Sequence, residues 1–504
     1  MPATVKSLPA PVGGWNARDS IAAMPPTDAV SLTNWFPTTT ECQLRKGYTN
    51  WATGLPGQVE TVMAYAGGAV DKLFGVSAGS IYDCTTNGAV GAAAVAGLAN
   101  SRLQYINNAT AGGNYLMAVN GADKLRYFDG TTWSADGGTF TITVANTANW
   151  SQILLHKQRV WGIVKNTLTA YYLAPGAIAG AASLFDMSPF FKHGGFIVAA
   201  GGWTVSSVQG PNEHLAFITN KGEVLVYAGS DPSSITTWTM QGLFRIGAPI
   251  GDRPLVKFSA DLLIITQDGV EPISKALDTQ RTSAQAAITD KIQWAVSDVI
   301  NSYQTNFGWQ LMDFPQGNFL IVNVPIATGS QQQYVMNTIT GAWCNFTGWS
   351  ANCWELYKNN AYFGGNTVVC LAWNTNADNG MNITANALQA YNYFGSRTLK
   401  RFTMSRPIFR ASGQPAIFAG YSIDFDTTDN TTALAYASSA AVGTWGSGQW
   451  GTATWGATSL NVIKGWQGAN GVGYAAAPRV KTTSQGFDLR WVSTDVVFER
   501  GAFI

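Results

Sequence analysis

The chain has 504 residues, with 30 Lys+Arg against 29 Asp+Glu, only 12% charged residues, and 12% aromatics that include 19 Trp. An average soluble protein carries roughly 25% charge. So few charges exclude a coiled coil, the lack of a basic surplus excludes a general DNA binder, and the aromatic content excludes a disordered chain.

Residues 1–55 read as an N-terminal arm. Pro9, Pro11, Pro25, Pro26, Pro37 and Pro56 punctuate this region, and no apolar run near Met1 suggests a secretion signal. One short helix is expected at 27–34, with Thr27 as its cap and Pro37 as its stop.

From about residue 58 the text changes to short strands joined by tight turns. Val59 to Tyr65 and Lys72 to Val76 form one pair. The segment from Asn114 turns at Asn120-Gly121, and the one from Lys124 turns at Asp129-Gly130 before Trp133. The segment from His214 turns at Lys221-Gly222, and the one from Asp261 turns at Asp268-Gly269. Asn318 to Phe346 includes a turn at Thr340-Gly341. Tyr357 to Leu371 includes Asn359-Asn360 and Gly364-Gly365. Such turn pairs between apolar runs are hairpin signals. The units recur roughly every 40–60 residues, in the range of four-stranded propeller blades. The reading is all-β: a degenerate β-propeller over 56–375, with an array of sandwiches as the structural alternative. No Gly-His…Trp-Asp signature supports a WD40 assignment. Ala284, Ala287, Ile288, Ile292, Ala295, Val296 and Val299 are spaced as on a helix, which predicts one inserted helix over about 277–300. Gln285, Asp290, Lys291, Gln293 and Asp298 are its solvated face.

Longer strands follow from 383, 398, 421 and 488, and residues 380–504 read as a second, sandwich-like platform module. Between these strands lies a Trp-Gly tract: Trp445-Gly446, Trp450-Gly451, Trp455-Gly456, then Trp466. It packs on its own sheet, meets another subunit, or offers a sugar-stacking platform. Trp is enriched at protein interfaces, so Trp445, Trp450, Trp455 and Trp466 are the partner-interface candidates.

Catalytic and cofactor motifs are sparse. Gly446, Gly448 and Gly451 match G-x-G-x-x-G, but Trp interrupts them and no helical pattern follows, so no dinucleotide site is expected. No Gly-Lys dipeptide exists, so there is no P-loop. His156, His193 and His214 are too scattered for a zinc site. Asp424, Asp426 and Asp429 are the closest acids, read as solvated turn residues rather than a glycosidase pair. Cys42, Cys84, Cys344, Cys353 and Cys370 are an odd set, read as buried free thiols, with Cys344 and Cys353 possible neighbours on paired strands. No catalytic residue, metal or cofactor is expected. The Ala/Gly run at 88–99 is too short to span a bilayer, which needs about 20 residues.

One resemblance organises these readings. The opening carries Gly13-Gly14-Trp15-Asn16-Ala17-Arg18-Asp19, Met24-Pro25-Pro26-Thr27-Asp28-Ala29, Asn34-Trp35-Phe36-Pro37 and Leu44-Arg45-Lys46-Gly47-Tyr48. It resembles the tail nozzle proteins of short-tailed bacteriophages, also called tail tubular protein B or packaged-DNA stabilisation proteins. The 343–365 region and the run from Ser396 to Phe409 agree in style. The resemblance implies a non-enzymatic virion protein, with a propeller and a platform built from the chain ends. Six copies would ring the DNA channel below the portal and adaptor rings, near tail fibres or spikes. Such a protein, assembled in the host cytoplasm, would retain the packaged genome and permit its ejection without binding DNA specifically. The resemblance gives the Trp-Gly tract no role. The alternative is a receptor- or glycan-binding propeller of a tail fibre or spike, and a propeller glycosidase stands behind it.

Overall fold

A strand whose two faces are both buried reads as a continuous apolar run, because successive side chains point to opposite sides. Leu262, Leu263, Ile264 and Ile265 are such a run: Leu262 and Ile264 join one core cluster, while Leu263 and Ile265 join the next. This two-faced burial organises residues 48–372. The computed structural model describes residues 3–207, 210–234, 236–275, 287–434 and 460–501.

Among the described residues, seven groups of strands succeed one another along the chain as blades of a β-propeller. Blade 1 comprises 59–65, Lys72–Ser77 and Ser80–Asp83. Blade 2 runs from Gln104–Thr110 to Trp133–Ala135, blade 3 from Trp150–His156 to Ser183–Asp186, and blade 4 from Ile197–Ser207 to Trp238–Arg245. Blade 5 has three strands, Leu255–Phe258, Asp261–Thr266 and Gly269–Pro272. Blade 6 runs from Gln310–Phe314 to Trp343–Phe346. Blade 7 comprises Cys353–Tyr357, Asn360–Gly364, Asn366–Ala372 and residues 48–58. Blades 2, 3, 4 and 6 are four-stranded meanders of consecutive chain.

Each blade packs on the next through its own apolar cluster. Phe74 and Val76 meet Leu116 and Phe128 between blades 1 and 2. Trp161 meets Phe217 and Trp238 between blades 3 and 4. Cys353, Tyr362 and Val369 of blade 7 meet Val59, Val62 and Leu73 of blade 1, which closes the ring. The closing strand is Tyr48–Tyr65. Its first part pairs with Asn366–Ala372, its second with Lys72–Ser77. It therefore crosses the boundary expected near Pro56.

The chain ends build a β-sandwich. In one sheet Lys400–Ala411 pairs with Leu489–Arg500, which also pairs with Thr4–Pro9 and Cys42–Leu44. In the other, Ala476–Ser484 lies between Ile383–Gln389 and Ala416–Ile423, and Ile383–Gln389 pairs with Asp28–Thr33. Phe409, Trp491, Ala385, Ile417 and Val480 share a core with Phe319, Trp349 and Phe363 of blades 6 and 7. Sandwich and propeller are thus packed through one continuous apolar interior.

Two expected helices differ. Residues 27–34 form no helix: Asp28–Thr33 is a strand, because pairing with Ile383–Gln389 overrides local propensity. The inserted helix spans Gln293–Tyr303, after a 3-10 turn at Asp290–Ile292. Its Val296, Val299 and Ile300 fill the space between three-stranded blade 5 and blade 6. Residues 276–286 of the expected helix lie outside the described residues. Cys344 and Cys353 belong to blades 6 and 7 and not to paired strands, and all five cysteines are buried free thiols.

Candidate functional site: the N-terminal joint and the propeller bore

The four N-terminal segments of the resemblance converge on the seam between propeller and sandwich. Arg45 is fully buried, a position a guanidinium occupies only when every donor is used. Its Nε donates to Asn34 Oδ1 at 2.8 Å, Nη1 to Asp378 Oδ1 at 2.8 Å and to Lys46 O at 3.0 Å, and Nη2 to Asp378 Oδ2 at 2.6 Å and to Thr347 O. The guanidinium also lies 5.0 Å from the ring centre of Trp349. Asn34 completes the network through Thr347 Oγ1 and Thr384 O. Gly47 is needed at the same seam: a Cβ there would lie 1.9 Å from Ala377 O.

A second network sits beside the helix. Lys291 Nζ donates to Asp28 Oδ1 at 2.8 Å and Gly13 O at 2.7 Å, and Asn16 bridges Asp28 and Asp19. Arg18 pairs with Asp19 and Asp290. Asp290 and Lys291, expected on a solvated face, are therefore tied into the joint. The segments that carry the resemblance act as a fastening: Arg18, Asp28 and Arg45 each face an opposite charge on an element distant in sequence.

Of the partner-interface candidates, Trp445, Trp450 and Trp455 lie outside the described residues, as do Gly446, Gly448 and Gly451. Trp466 is 42% exposed, between Asn461–Lys464 and Gln467–Gly473 on the sandwich. The Arg406 guanidinium sits 4.6 Å over its ring and is anchored by Asp495, 2.9 Å from Nε. Met404, Val462 and Val472 are exposed on the same sheet. Asp424, Asp426 and Asp429 do not converge: Asp424 accepts the amides of Tyr474 and Ala475, Asp426 caps Thr428, and Asp429 pairs with Lys481. Among the described residues no group of three or more His, Cys, Asp and Glu side chains is placed to hold a metal ion, and no helix is long and apolar enough to cross a membrane.

Sequence reasoning missed the bore. Each innermost strand, or the residue leading into it, places one side chain at the same level: Glu60, Gln104, Gln152, Val198, Arg253, Gln310 and Glu355 in blades 1 to 7. All seven line two adjoining recesses of about 730 and 260 Å³ that share Gln104, Gln152 and Asp252. The signal was in the sequence, as a polar residue just before a strand's apolar residues: Glu60 before Thr61-Val62, Gln104 before Tyr105-Ile106, Gln152 before Ile153-Leu154, Gln310 before Leu311-Met312.

Arg253 crosses the bore to blades 1 and 2, where its guanidinium donates to Thr61 Oγ1 at 2.7 Å, Leu103 O at 3.1 Å and Glu60 O at 3.2 Å. The bore is therefore barred at this level. Gln310 clamps the backbone of Trp354 with both amide groups, at 2.8 and 2.9 Å. Burial pushes the Glu355 carboxyl up to about 7, against the opposing pull of Tyr105, the Leu356 amide and Arg253. Burial, and then the charge of Glu355, pushes the Tyr105 phenol well above its ordinary value.

No family model and no curated protein matches the sequence. Solved structures with similar folds include the β-propeller domain of Cps50 (Swd1) from Myceliophteria thermophila, 11% identical over 64% of this chain and all of that one, TM-score 0.35. BBS1N, solved in complex with ARL6DN, is 8% identical over 65% of this chain and 96% of that one, TM-score 0.40. A family 43 glycoside hydrolase, an arabinoxylan arabinofuranohydrolase from Bacillus subtilis, is 10% identical over 85% of this chain and 88% of that one, TM-score 0.26. These likenesses are to propellers of varied function and carry no argument about activity. The all-β propeller itself rests on the seven blades and their closed ring of clusters.

Proposed function

We propose that the protein is a structural component of a short-tailed phage virion: a tail nozzle subunit that acts without catalysis and without a cofactor. Six copies would surround a DNA channel formed between them, below the portal and adaptor rings and in contact with tail fibres or spikes. The channel would extend the path of the genome, retain it, and release it into the host. The observation that carries this reading is the joint: the segments that resemble nozzle proteins are the ones that fasten the propeller to a platform built from both chain ends. The barred bore fits too, since DNA would pass between subunits and not through a propeller. A net charge of +1 suits a lining that lets DNA leave, because each neutralised phosphate adds affinity.

Electron microscopy of the purified protein and of particles tests it. A six-fold ring with a central opening is the expected result. A three-fold particle would favour the alternative, a receptor- or glycan-binding propeller of a fibre or spike, for which the recess at the bore mouth speaks. Release of reducing sugar from host polysaccharide would overturn the non-enzymatic reading.

A further inference from the structure

The polar collar of the bore is only partly accounted for by architecture. Arg253 and Gln310 tie blades together, but Gln104 and Gln152 spend only their NH2 groups, on Asp252 O and Val198 O. Their carbonyl oxygens accept no hydrogen bond from the described residues, and both side chains line the larger recess. Glu60 uses one carboxylate oxygen, for Arg102 at 3.2 Å. Phe196 also lines this recess. The volume, about 730 Å³, falls within the roughly 300–1,000 Å³ of small-ligand sites.

The chemistry of the lining selects the occupant. A strongly charged ligand of either sign meets a like charge, because Glu60 and Asp252 are mixed with Arg102 and Lys165 in this lining. An apolar ligand leaves amides unpaired, which costs the desolvation of each. An extended peptide shows polar backbone on two opposite edges only, with side chains on the other two sides. A pyranose carries hydroxyls around its whole rim, and each can both donate and accept. It also has an apolar face for Phe196. We infer that the recess at the bore mouth binds a neutral pyranose, the terminal unit of a glycan, with Gln104 and Gln152 as its directing groups. This does not rest on the nozzle reading: particle symmetry decides that one, and saccharide contact decides this one.

Saturation-transfer NMR on the full-length protein with the methyl glycosides of glucose, galactose, N-acetylglucosamine and rhamnose is the test. At least one should show transfer. The double variant Gln104→Leu/Gln152→Leu should weaken it about tenfold or more, the loss of two modest hydrogen bonds. Should that variant fail to fold, Val198→Trp leaves every amide in place and fills the recess, and it should abolish transfer. Trp466→Ala should leave transfer unchanged. The inference is overturned by no transfer from any of the four glycosides, by transfer that survives Val198→Trp, or by transfer lost only in Trp466→Ala. Binding of a pentaalanine peptide in place of the glycosides would assign the recess to a peptide end and overturn it as well.

Discussion

The propeller and the sandwich bury the same kinds of side chain but assemble them from opposite kinds of sequence neighbourhood. Six of the seven blades use strands from one consecutive stretch. In the sandwich, Thr4 to Pro9 pairs with Ser493 to Phe498, across nearly the whole chain. The propeller distributes its interior over clusters between neighbouring blades, so damage at one interface is confined. The sandwich has a cluster of its own around Phe402, Tyr421 and Phe498 and a larger one shared with blades 6 and 7, so damage to the shared one reaches both regions. The contrast teaches where the chain is tolerant and where it is not.

The largest expected effect is at the joint. Arg45→Met leaves Asp378 without its guanidinium and should cost about 3–5 kcal/mol, read from urea unfolding. A cost below about 1 kcal/mol would mean that propeller and sandwich are held by apolar contact alone. Next comes Leu8→Ala, on an edge strand with a buried side chain. It should cost about 2 kcal/mol, at the low end of such truncations, because an edge site can relax. Hydrogen exchange should show faster amides at 493–498 and unchanged protection in blades 2 to 4. A uniform loss would erase the distinction between the two regions.

The third prediction concerns two propeller groups with opposite titrations. Burial holds His156 down at about 4, with Lys157 and His214 adding and Glu213 opposing. The unfolded chain therefore binds its proton first, and this group makes stability rise with pH between about 4 and 6.5. Glu355, raised to about 7, holds a proton in the folded state that the unfolded chain has released, so it makes stability fall between about 4.5 and 7. The two slopes oppose each other between about 4.5 and 6.5. Glu355→Gln should unmask a rise with pH of up to about 1.4 kcal/mol per unit. His156→Gln should unmask a fall. Thermal melts across this range check both signs.

The smallest effect on stability belongs to Trp466→Ala, about 0.5–1 kcal/mol for an exposed stacked cation and ring. Incorporation of this variant into particles is the sharper measurement. Normal incorporation removes Trp466 from the partner interface.

Most hairpins were legible because their turns announce themselves with Asn-Gly, Asp-Gly or Lys-Gly. Blade 3 was not, and its first turn shows why. Lys157 and Gln158 both adopt the left-handed region, at φ 49° and 59°, where glycine or asparagine is the usual signal. The strand at 28–33 was misread because its longest pairing, with Ile383–Gln389, lies more than 350 residues away, and its short parallel pairing with Gly14-Trp15 leaves no periodic trace. Arg45 and Asp378 were unpairable for the same reason. The bore collar was legible in principle, through one polar residue in six of the seven blades, but only once the register of the blades is known.

The strand from Tyr48 to Tyr65 has a consequence for synthesis. Its first half must wait for blade 7, and at ~5–20 residues per second the roughly 300 intervening residues take about 15–60 s to emerge. Meanwhile it is an unpaired edge, a template for pairing with another chain. Its middle carries Gly54 at φ 83°, Pro56 and Gly57, and the ladder with 366–372 skips from Thr53 to Gln58. The irregularity that passes the strand from one sheet to the next also interrupts any straight ladder a nascent neighbour could form. The ring's clasp thus carries its own guard against polymerising on the ribosome.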